Sequence, residues 1–475
     1  MTTLETPIKV GEGTYGCIYN PSLKCAENGN VSGASGSLRQ LKINYSNKVS
    51  KILERDEADD EYSQYGLIST IDPSGKYFLQ KPIKCDIDAS QENIVAIKNC
   101  EVVDTAKFIT KPSRYSLLIM ENGGINLADY MAYHRQNDSL RLTDLENILI
   151  KMFDVFVAIK LLLGRELIHN DMKPQNILID PTTFDLKIID LGLLYRKETM
   201  ITQCLRSVCM LPAVFHWSYP FETVFANLKM FSAAQRSIKI KEDQFIKKLF
   251  ADEHTRSFFK YVVNIEDIRK ITQEFYEYLD TSFAKSPTEK MKMAHMRFLK
   301  KHLQTKDIYG AGFGCFYLLQ IFGKKLLSNP AFAIFYDLFY NMITPNLDAR
   351  YTIDRLLSEY LRALIVTGIL KKHDVSVASM LNKVKFDYIY KNDLMQERIP
   401  DPHAKEISPL VSKLKYQPLS KKQTSKVYKD YPFKSPTKAE KNITTNKLFD
   451  FFSDTMKQEF FLSRNRTRKI VAQKT

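Results

Sequence analysis

The sequence has no CxxC pair, no histidine at metal-ligand spacing from a cysteine, and no apolar run of the roughly 18 to 20 residues that a membrane-spanning helix requires. Its cysteines, Cys17, Cys25, Cys85, Cys100, Cys204, Cys209 and Cys315, are odd in number and scattered. This pattern argues against a zinc site and against a disulfide framework. It places the protein in reducing cytosol or nucleus, or inside a particle assembled there. The first residues, MTTLETPIKV, lack a basic segment followed by an apolar run, which excludes a recognisable signal peptide. Ile308 to Phe322, a long apolar stretch, is too short to span a bilayer and is soon followed by Lys324 and Lys325.

Acidic residues are scarce in one place. Of the net charge of +15, residues 401–475 carry +10, from 17 Lys and Arg against 7 Asp and Glu. The basic excess belongs to a tail, and the preceding 400 residues are nearly balanced. Within that tail, KLKYQPLSKKQTSKVYKDYPFKSPTK has Asp430 as its sole acid. One reading is a solvated, disordered extension. The other is an electrostatic arm for nucleic acid or an acidic partner, with Tyr416, Tyr428, Tyr431 and Phe433 available for stacking. The 475 residues as a whole, with 44% hydrophobic content, are ample for a sizeable core.

The stretch Leu167 to Asp180, LIHNDMKPQNILID, is a polar island between apolar elements. Upstream, Ile148, Met152, Phe153, Phe156 and Ile159 recur at helical spacing. Downstream, residues 176–179 and 186–189 are short β-branched runs around Pro181, which predicts two strands joined by a turn. That order brings Asp171, Lys173, Asn176 and Asp190 toward one place. Near the amino terminus Gly11, Gly13 and Gly16 have G-x-G-x-x-G spacing. Cys17, Ile18 and Tyr19 favour strand and Pro21 stops any helix, so a glycine-rich hairpin fits better than a dinucleotide-binding turn. An ordinary glycine turn is the competing reading. KVSKIL, residues 48–53, places Lys51 in an apolar strand, where a lysine needs a partner, and Glu61 on a following helix can reach it. A solvated charged face is the alternative. Ser116 to Met120 is a strand running into Glu121, Asn122, Gly123 and Gly124, the outline of a hinge or of a simple strand-to-helix turn.

Taken in order, these motifs resemble the eukaryotic-type protein kinases through most of residues 1–365. The glycine loop is Gly11, Gly13 and Gly16; the strand lysine is Lys51, with Glu61 its helix partner and Glu57 the alternative. The catalytic loop is His169, Asn170, Asp171 and Asn176, and the metal-binding block is Asp190, Leu191 and Gly192. Tyr219 to Glu222 resembles the Ala-Pro-Glu block, Asp307 with Gly312 the buried aspartate helix, and Arg350 the arginine that pairs with that glutamate. The resemblance implies an α+β, bilobal fold with a small β-rich N-lobe over residues 1–121. It implies a larger helical C-lobe over residues 122–370, with a helical insertion at about residues 223–306, and a basic extension over residues 371–475.

It also implies phosphoryl transfer from ATP with magnesium. Asp171 would orient the acceptor hydroxyl, with Lys173 near the transferred phosphate. Asn176 and Asp190 would hold the metal, and Lys51 would grip the inner phosphates. Ile18, Val49, Met120 and Leu178 would enclose the adenine, and the Glu121 and Asn122 backbone would meet its edge. His169 would be structural. Lys173 followed by Pro174 resembles the serine/threonine branch, so the expected partners are protein substrates. A scaffold that has lost transfer is the alternative, although Lys51, Asp171 and Asp190 are all retained; a small-molecule kinase would lack the Lys-Pro pair. Asn170 stands where many members have arginine, which predicts independence from phosphorylation at Thr199, Thr202 or Ser207. The insertion, the VSK strand and Ile71 to Pro73 resemble kinases of large cytoplasmic DNA viruses, implying host cytoplasm or virion.

Overall fold

Alternating apolar and polar residues near the amino terminus build an antiparallel sheet, described together with the rest of the chain by a computed structural model. It describes residues 6–13, 15–26, 31–32, 43–206, 218–228, 231–232, 273–275, 277–278, 291–320 and 330–384. Its strands are β1 (Ile8–Glu12), β2 (Gly16–Asn20), β3 (Val31–Ser32), β4 (Lys48–Glu54), β5 (Ile83–Asp86) and β6 (Tyr115–Glu121), in the spatial order β1-β2-β4-β6-β5-β3. Helix α1 (Arg55–Ile71) crosses this sheet and buries Ala58, Glu61, Tyr65 and Ile68, residues three or four apart and therefore on one face. Three of these are apolar or aromatic; the fourth, Glu61, is a buried carboxylate that needs a cation. Asp72 ends α1 by accepting the backbone amides of Lys76, Tyr77 and Phe78. The turn so fixed sends Tyr77 to the other lobe, where its carbonyl accepts the Ile188 amide at 2.8 Å.

Two short helices, α2 (Gln91–Ile97) and α3 (Thr105–Thr110), pack beside the sheet, each begun by a side-chain cap, from Ser90 and Asp104. Beyond Glu121 the described residues are mainly helical. After β7 (Ile125–Asn126) come α4 (Leu127–Asn137) and the long, nearly wholly buried α5 (Leu142–Leu163). Four short strands follow: β8 (Leu167–Ile168), β9 (Ile177–Ile179), β10 (Leu186–Ile188) and β11 (Tyr195–Arg196). Then come α6 (Lys197–Leu205), the 30-residue α7 (Met291–Gln320), α8 (Pro330–Ile343), α9 (Ile353–Val366), α10 (Ile369–Lys372) and α11 (Val377–Lys383). Strands β9 and β10 form the expected hairpin, with Leu178 opposite Lys187. The last two helices, which run from residue 369 to residue 383, are tied to α5: Lys372 and His373 to Glu146, and Lys383 to Asp154. Tyr360 of α9 donates its hydroxyl to the Leu149 carbonyl of α5 at 2.6 Å in the aromatic centre of this lobe.

The insertion read from sequence lies mostly outside the described residues, as does the basic tail with its tyrosines. Phe275 and Tyr278 are described, and both are buried in the main core. Residues 291–306 form the first half of α7, continuous with Asp307. Glu222 and Arg350, fully buried, pair through two hydrogen bonds at 2.7 and 3.0 Å, and His302 of α7 adds a third contact at 3.0 Å.

The cysteine expectation is overturned. Cys17 of β2 is bonded to Cys100 just after α2, and Cys25 to Cys85 of β5. Cys204 is also disulfide-bonded, and buried Cys315 is a free thiol. Partners 83 and 60 residues apart have no spacing signature. The sheet and α2 bring the backbones to Cα separations of 6.0 and 5.8 Å, within bonding range. An inference of a reducing compartment from cysteine usage thus loses its basis.

Two outcomes are expected. Mass spectrometry of alkylated, unreduced digests will recover Cys17 linked to Cys100 and Cys25 linked to Cys85; recovery of all four only as alkylated single peptides would contradict the bonds. Burial pushes the Glu222 carboxyl up, but Arg350 and His302 outweigh it and hold the pKa at about 2. The stability this carboxylate contributes is full above its ordinary range and is lost as pH falls toward 2. Arg350→Met strands the buried carboxylate and will cost about 3 to 5 kcal/mol in urea unfolding.

Candidate active site

The catalytic-loop motif is held from beneath by α7. Asp307, buried, accepts the backbone amides of His169 at 2.7 Å and Asn170 at 2.9 Å. Gly310, one turn on, packs where a Cβ would lie 2.1 Å from the Met172 carbonyl oxygen, so only glycine allows helix and loop to approach this closely. Asn170 turns the loop at φ +67, a left-handed conformation that asparagine tolerates better than most residues. His169 is wholly buried. Its Nδ1 accepts the Asp171 amide at 3.3 Å, which assigns the proton to Nε2 for donation to the Ile189 carbonyl at 2.9 Å. The imidazole is thus committed to holding the loop, as the sequence implied.

Around Asp171 the loop closes on itself. Lys173 Nζ donates to Asp171 Oδ2 at 2.7 Å. The Asn176 side-chain nitrogen donates to the Asp171 carbonyl at 2.7 Å and to Oδ2 at 2.9 Å. With that nitrogen engaged, the carbonyl oxygen of Asn176 is the atom able to bind a cation. Tyr219 brings its hydroxyl to Asp171 Oδ1 at 3.4 Å.

The second half of the site comes from the sheet and α1. Lys51 of β4, 11% exposed at its side chain, contacts Glu61 at 2.7 Å and Asp190 at 3.5 Å. Burial lowers the Lys51 ammonium, but the two carboxylates outweigh it and raise its pKa. For Asp190, burial raises the carboxyl, but the ammonium groups of Lys51 and Lys173 hold it below the usual range. Asp190 stands at φ +62, an uncommon conformation for aspartate, and is carried by a short 3-10 turn over residues 191–193. Glu61, rather than the alternative Glu57, is therefore the partner in contact with Lys51.

The remaining candidates fall at the edges of this cluster. Ile18 pairs with Lys51 across β2 and β4, and Val49 with Met120 across β4 and β6. Met120 is buried with its sulfur 3.7 Å from the Tyr65 hydroxyl. Leu178 of β9 lies beneath Gly123, where a Cβ would come within 2.6 Å of its side chain. Glu121 is paired with Lys48. Of the Glu121 and Asn122 backbone expected at a base edge, the Asn122 amide donates to the Asn47 carbonyl at 3.0 Å.

The three glycines differ. A Cβ on Gly16 would lie 2.0 Å from the Ile52 carbonyl oxygen, one on Gly11 would make ordinary contact with Ile18, and one on Gly13 would meet nothing. Close strand packing therefore demands Gly16, while Gly13 leaves the hairpin tip open. Two neighbours of the site escaped the sequence reading, Lys306 and the hydroxyl of Tyr219. The Lys306-Asp307 pair was their available signal, but a helix pattern does not reveal which lysine is turned inward.

The sheet-and-helix lobes, the Lys51-Glu61-Asp190 cluster and the Asp171 loop meet in one arrangement. Residues 82–214 match the family model described as the protein kinase domain. The fold is that of a protein kinase. Lys51 and Glu61 precede the span of that match, and Glu222, Asp307 and Arg350 follow it. The chain is 28% identical over 193 residues to a cell division control protein 2 homolog C of Antirrhinum majus, covering 41% of this chain and 52% of that one. It is 36% identical over 76 residues to a cyclin-dependent kinase B2-1 of Oryza sativa subsp. japonica, covering 16% and 23%. The chain thus spans about half or less of the curated relatives it matches.

The donor set suits the groups a kinase fold uses. Asn176 and Asp190 offer hard oxygen atoms of the kind magnesium takes, and Lys51 is a buried cation fixed between carboxylates. Substituting Gly310 by alanine will displace the loop from α7. The expected result is a loss of roughly 1 to 3 kcal/mol of stability, read by denaturant unfolding, with loss of whatever activity depends on Asp171.

Proposed function

We propose that this chain is a serine/threonine protein kinase. The observation that carries the proposal is the Asp171 carboxylate, held by Lys173 and Asn176 in a loop pinned to α7 by Asp307. In this reading Asp171 orients a substrate hydroxyl and takes its proton as the oxygen bonds to the γ-phosphorus and ADP departs. Lys173, beside the same carboxylate, offsets charge on the transferred phosphoryl group. Lys51, kept in place by Glu61, grips the inner phosphates of ATP. Asn176 and Asp190 would hold magnesium, which supplies charge neutralisation between the phosphates. Ile18, Val49, Met120 and Leu178 supply the apolar walls for adenine, with the backbone near Glu121 at its edge.

The preference for serine or threonine rests on Lys173-Pro174 and on the names of the weakly similar plant proteins. The setting, host cytoplasm or virion, rests on the sequence resemblance to kinases of large DNA viruses. Among the described residues no helix is long and apolar enough to cross a membrane. Thr199 and Thr202 lie within α6 and Ser207 lies outside the described residues; independence from phosphorylation at the three is read from Asn170.

Purified full-length protein with magnesium and labelled ATP is expected to label a mixed protein substrate on serine and threonine. Asp171→Asn will reduce kcat by about a thousandfold, and Lys51→Met will give a comparable loss. Equal labelling by wild type and Asp171→Asn would overturn the reading in favour of a scaffold. Labelling confined to tyrosine would overturn the substrate class alone.

A further inference from the structure

Catalytic loops that carry arginine next to the catalytic aspartate bring a cation of their own; this loop carries Asn170 instead. The structure supplies a cation from behind. Lys306 of α7 is 2% exposed, and its Nζ donates to Asn170 Oδ1. The same ammonium sits 4.2 Å from the centre of the Tyr219 ring, and the hydroxyl of that ring reaches Asp171. One buried charge thus touches both side chains that flank the catalytic carboxylate, one on the loop and one just before the Glu222 block.

Resting on the kinase reading, we propose that Lys306 is a positioning residue, which clamps Asn170 and Tyr219 so that Asp171 is held for the acceptor hydroxyl without a phosphorylated activation segment. Three observations support this. Burying an ammonium is costly unless it is paired, and here an amide oxygen and an aromatic face take it up while Asp307 stands next to it in sequence. Asn170 is at φ +67, so its side-chain amide is the loop's handle on the helix at a strained turn. Tyr219 is buried, its ring touches the ammonium and its hydroxyl touches Asp171, so a shift of Lys306 is felt at the carboxylate.

The charge of Lys306 is adjustable. Burial lowers its pKa, against the pull of Asp307, Asp171 and Glu222, to about 8. The groups facing it are Asn170 and Asp171 on the loop and Tyr219 and Glu222 ahead of α7. Asp307 and His302 face it from its own helix, and Arg350 balances Glu222. The ammonium is present below that pKa and is lost as pH rises through it, so the clamp weakens on the alkaline side.

The test uses the full chain, magnesium, ATP and a mixed protein substrate, with wild type, Lys306→Met, Asn170→Asp and Asp171→Asn. Lys306→Met is expected to lower kcat at pH 7 by about tenfold or more with KM for ATP unchanged. It should also abolish the alkaline fall in kcat, because no titrating clamp remains. Asn170→Asp adds a carboxylate to Lys306 and will move that fall to higher pH, an effect a merely structural role would not give. Hydrogen exchange of the amides of residues 167–172, read independently of activity, should speed up about tenfold in Lys306→Met. Wild-type kcat, pH profile and exchange in both variants would overturn the proposal. If Lys306→Met does not fold, the Asn170→Asp profile decides. If wild type transfers no phosphate, or no more than Asp171→Asn, the kinase reading fails, and unchanged exchange in Asn170→Asp and Lys306→Met would then remove the clamp as well.

Discussion

The arrangement rests on one buried carboxylate. Asp307 accepts two consecutive backbone amides, those of His169 and Asn170, from the middle of the longest described helix. The two N–H donors, one on each oxygen, take the place of the water that burial removes from this carboxylate. The two amides can converge only if the chain turns at Asn170, and the positive φ there is the cost of that convergence. Everything that follows in the loop takes its position from this turn. His169 is set to bond Ile189, Asp171 is presented outward to Lys173 and Asn176, and Gly310 allows the helix to lie directly against Met172.

Around that anchor, charge is buried in three places, each with a different balance. Lys51 lies between Glu61 and Asp190, one acid on α1 and one on the loop after β10, so a single cation bridges the two lobes. Glu222 and Arg350 form a bidentate pair with His302 beside it, joining distant parts of the C-lobe. Lys306 has an amide and an aromatic ring as its direct contacts. Buried pairs of this kind add little net stability over a well-packed apolar core. Their consequence is geometrical, because a wrong register would leave a charge in the interior without a partner. The disulfides act on the sheet in the same sense, fixing β2 to the turn after α2 and β5 to the segment after β2.

Local chemistry made the Asp171 loop legible in the sequence. The polar island, the flanking helix and the hairpin each follow from residues within a few positions of one another, and β9 pairs with β10 as the alternation requires. Lys51 and Glu61 were legible for a similar reason, since a lysine in a buried strand and a glutamate on the buried face of the next helix each demand a partner. The cysteine pairs were not, because sulfur proximity is created by sheet order rather than by spacing. Lys306 lies 136 residues from Asn170, and no periodicity distinguishes an inward lysine on a helix buried nearly all round. The bond from the Asn122 amide to the Asn47 carbonyl was not legible either, because Asn47 belongs to the turn before β4.

The change of an arginine position to asparagine therefore has a structural counterpart rather than being a simple loss. A guanidinium on the loop would stand close to the ammonium of Lys306 behind Asp171, and two like charges at that distance repel. Asparagine removes that conflict, tolerates the left-handed turn and presents an acceptor to the lysine. The three features are one choice: an acceptor at residue 170 needs a donor from α7, and a buried donor at residue 306 needs an acceptor on the loop. On the proposed kinase reading, the positive charge that orders this loop is built into the helix and does not wait for a phosphate. The order of the Asp171 loop then depends on the protonation of a lysine rather than on a modification of the segment that follows Asp190.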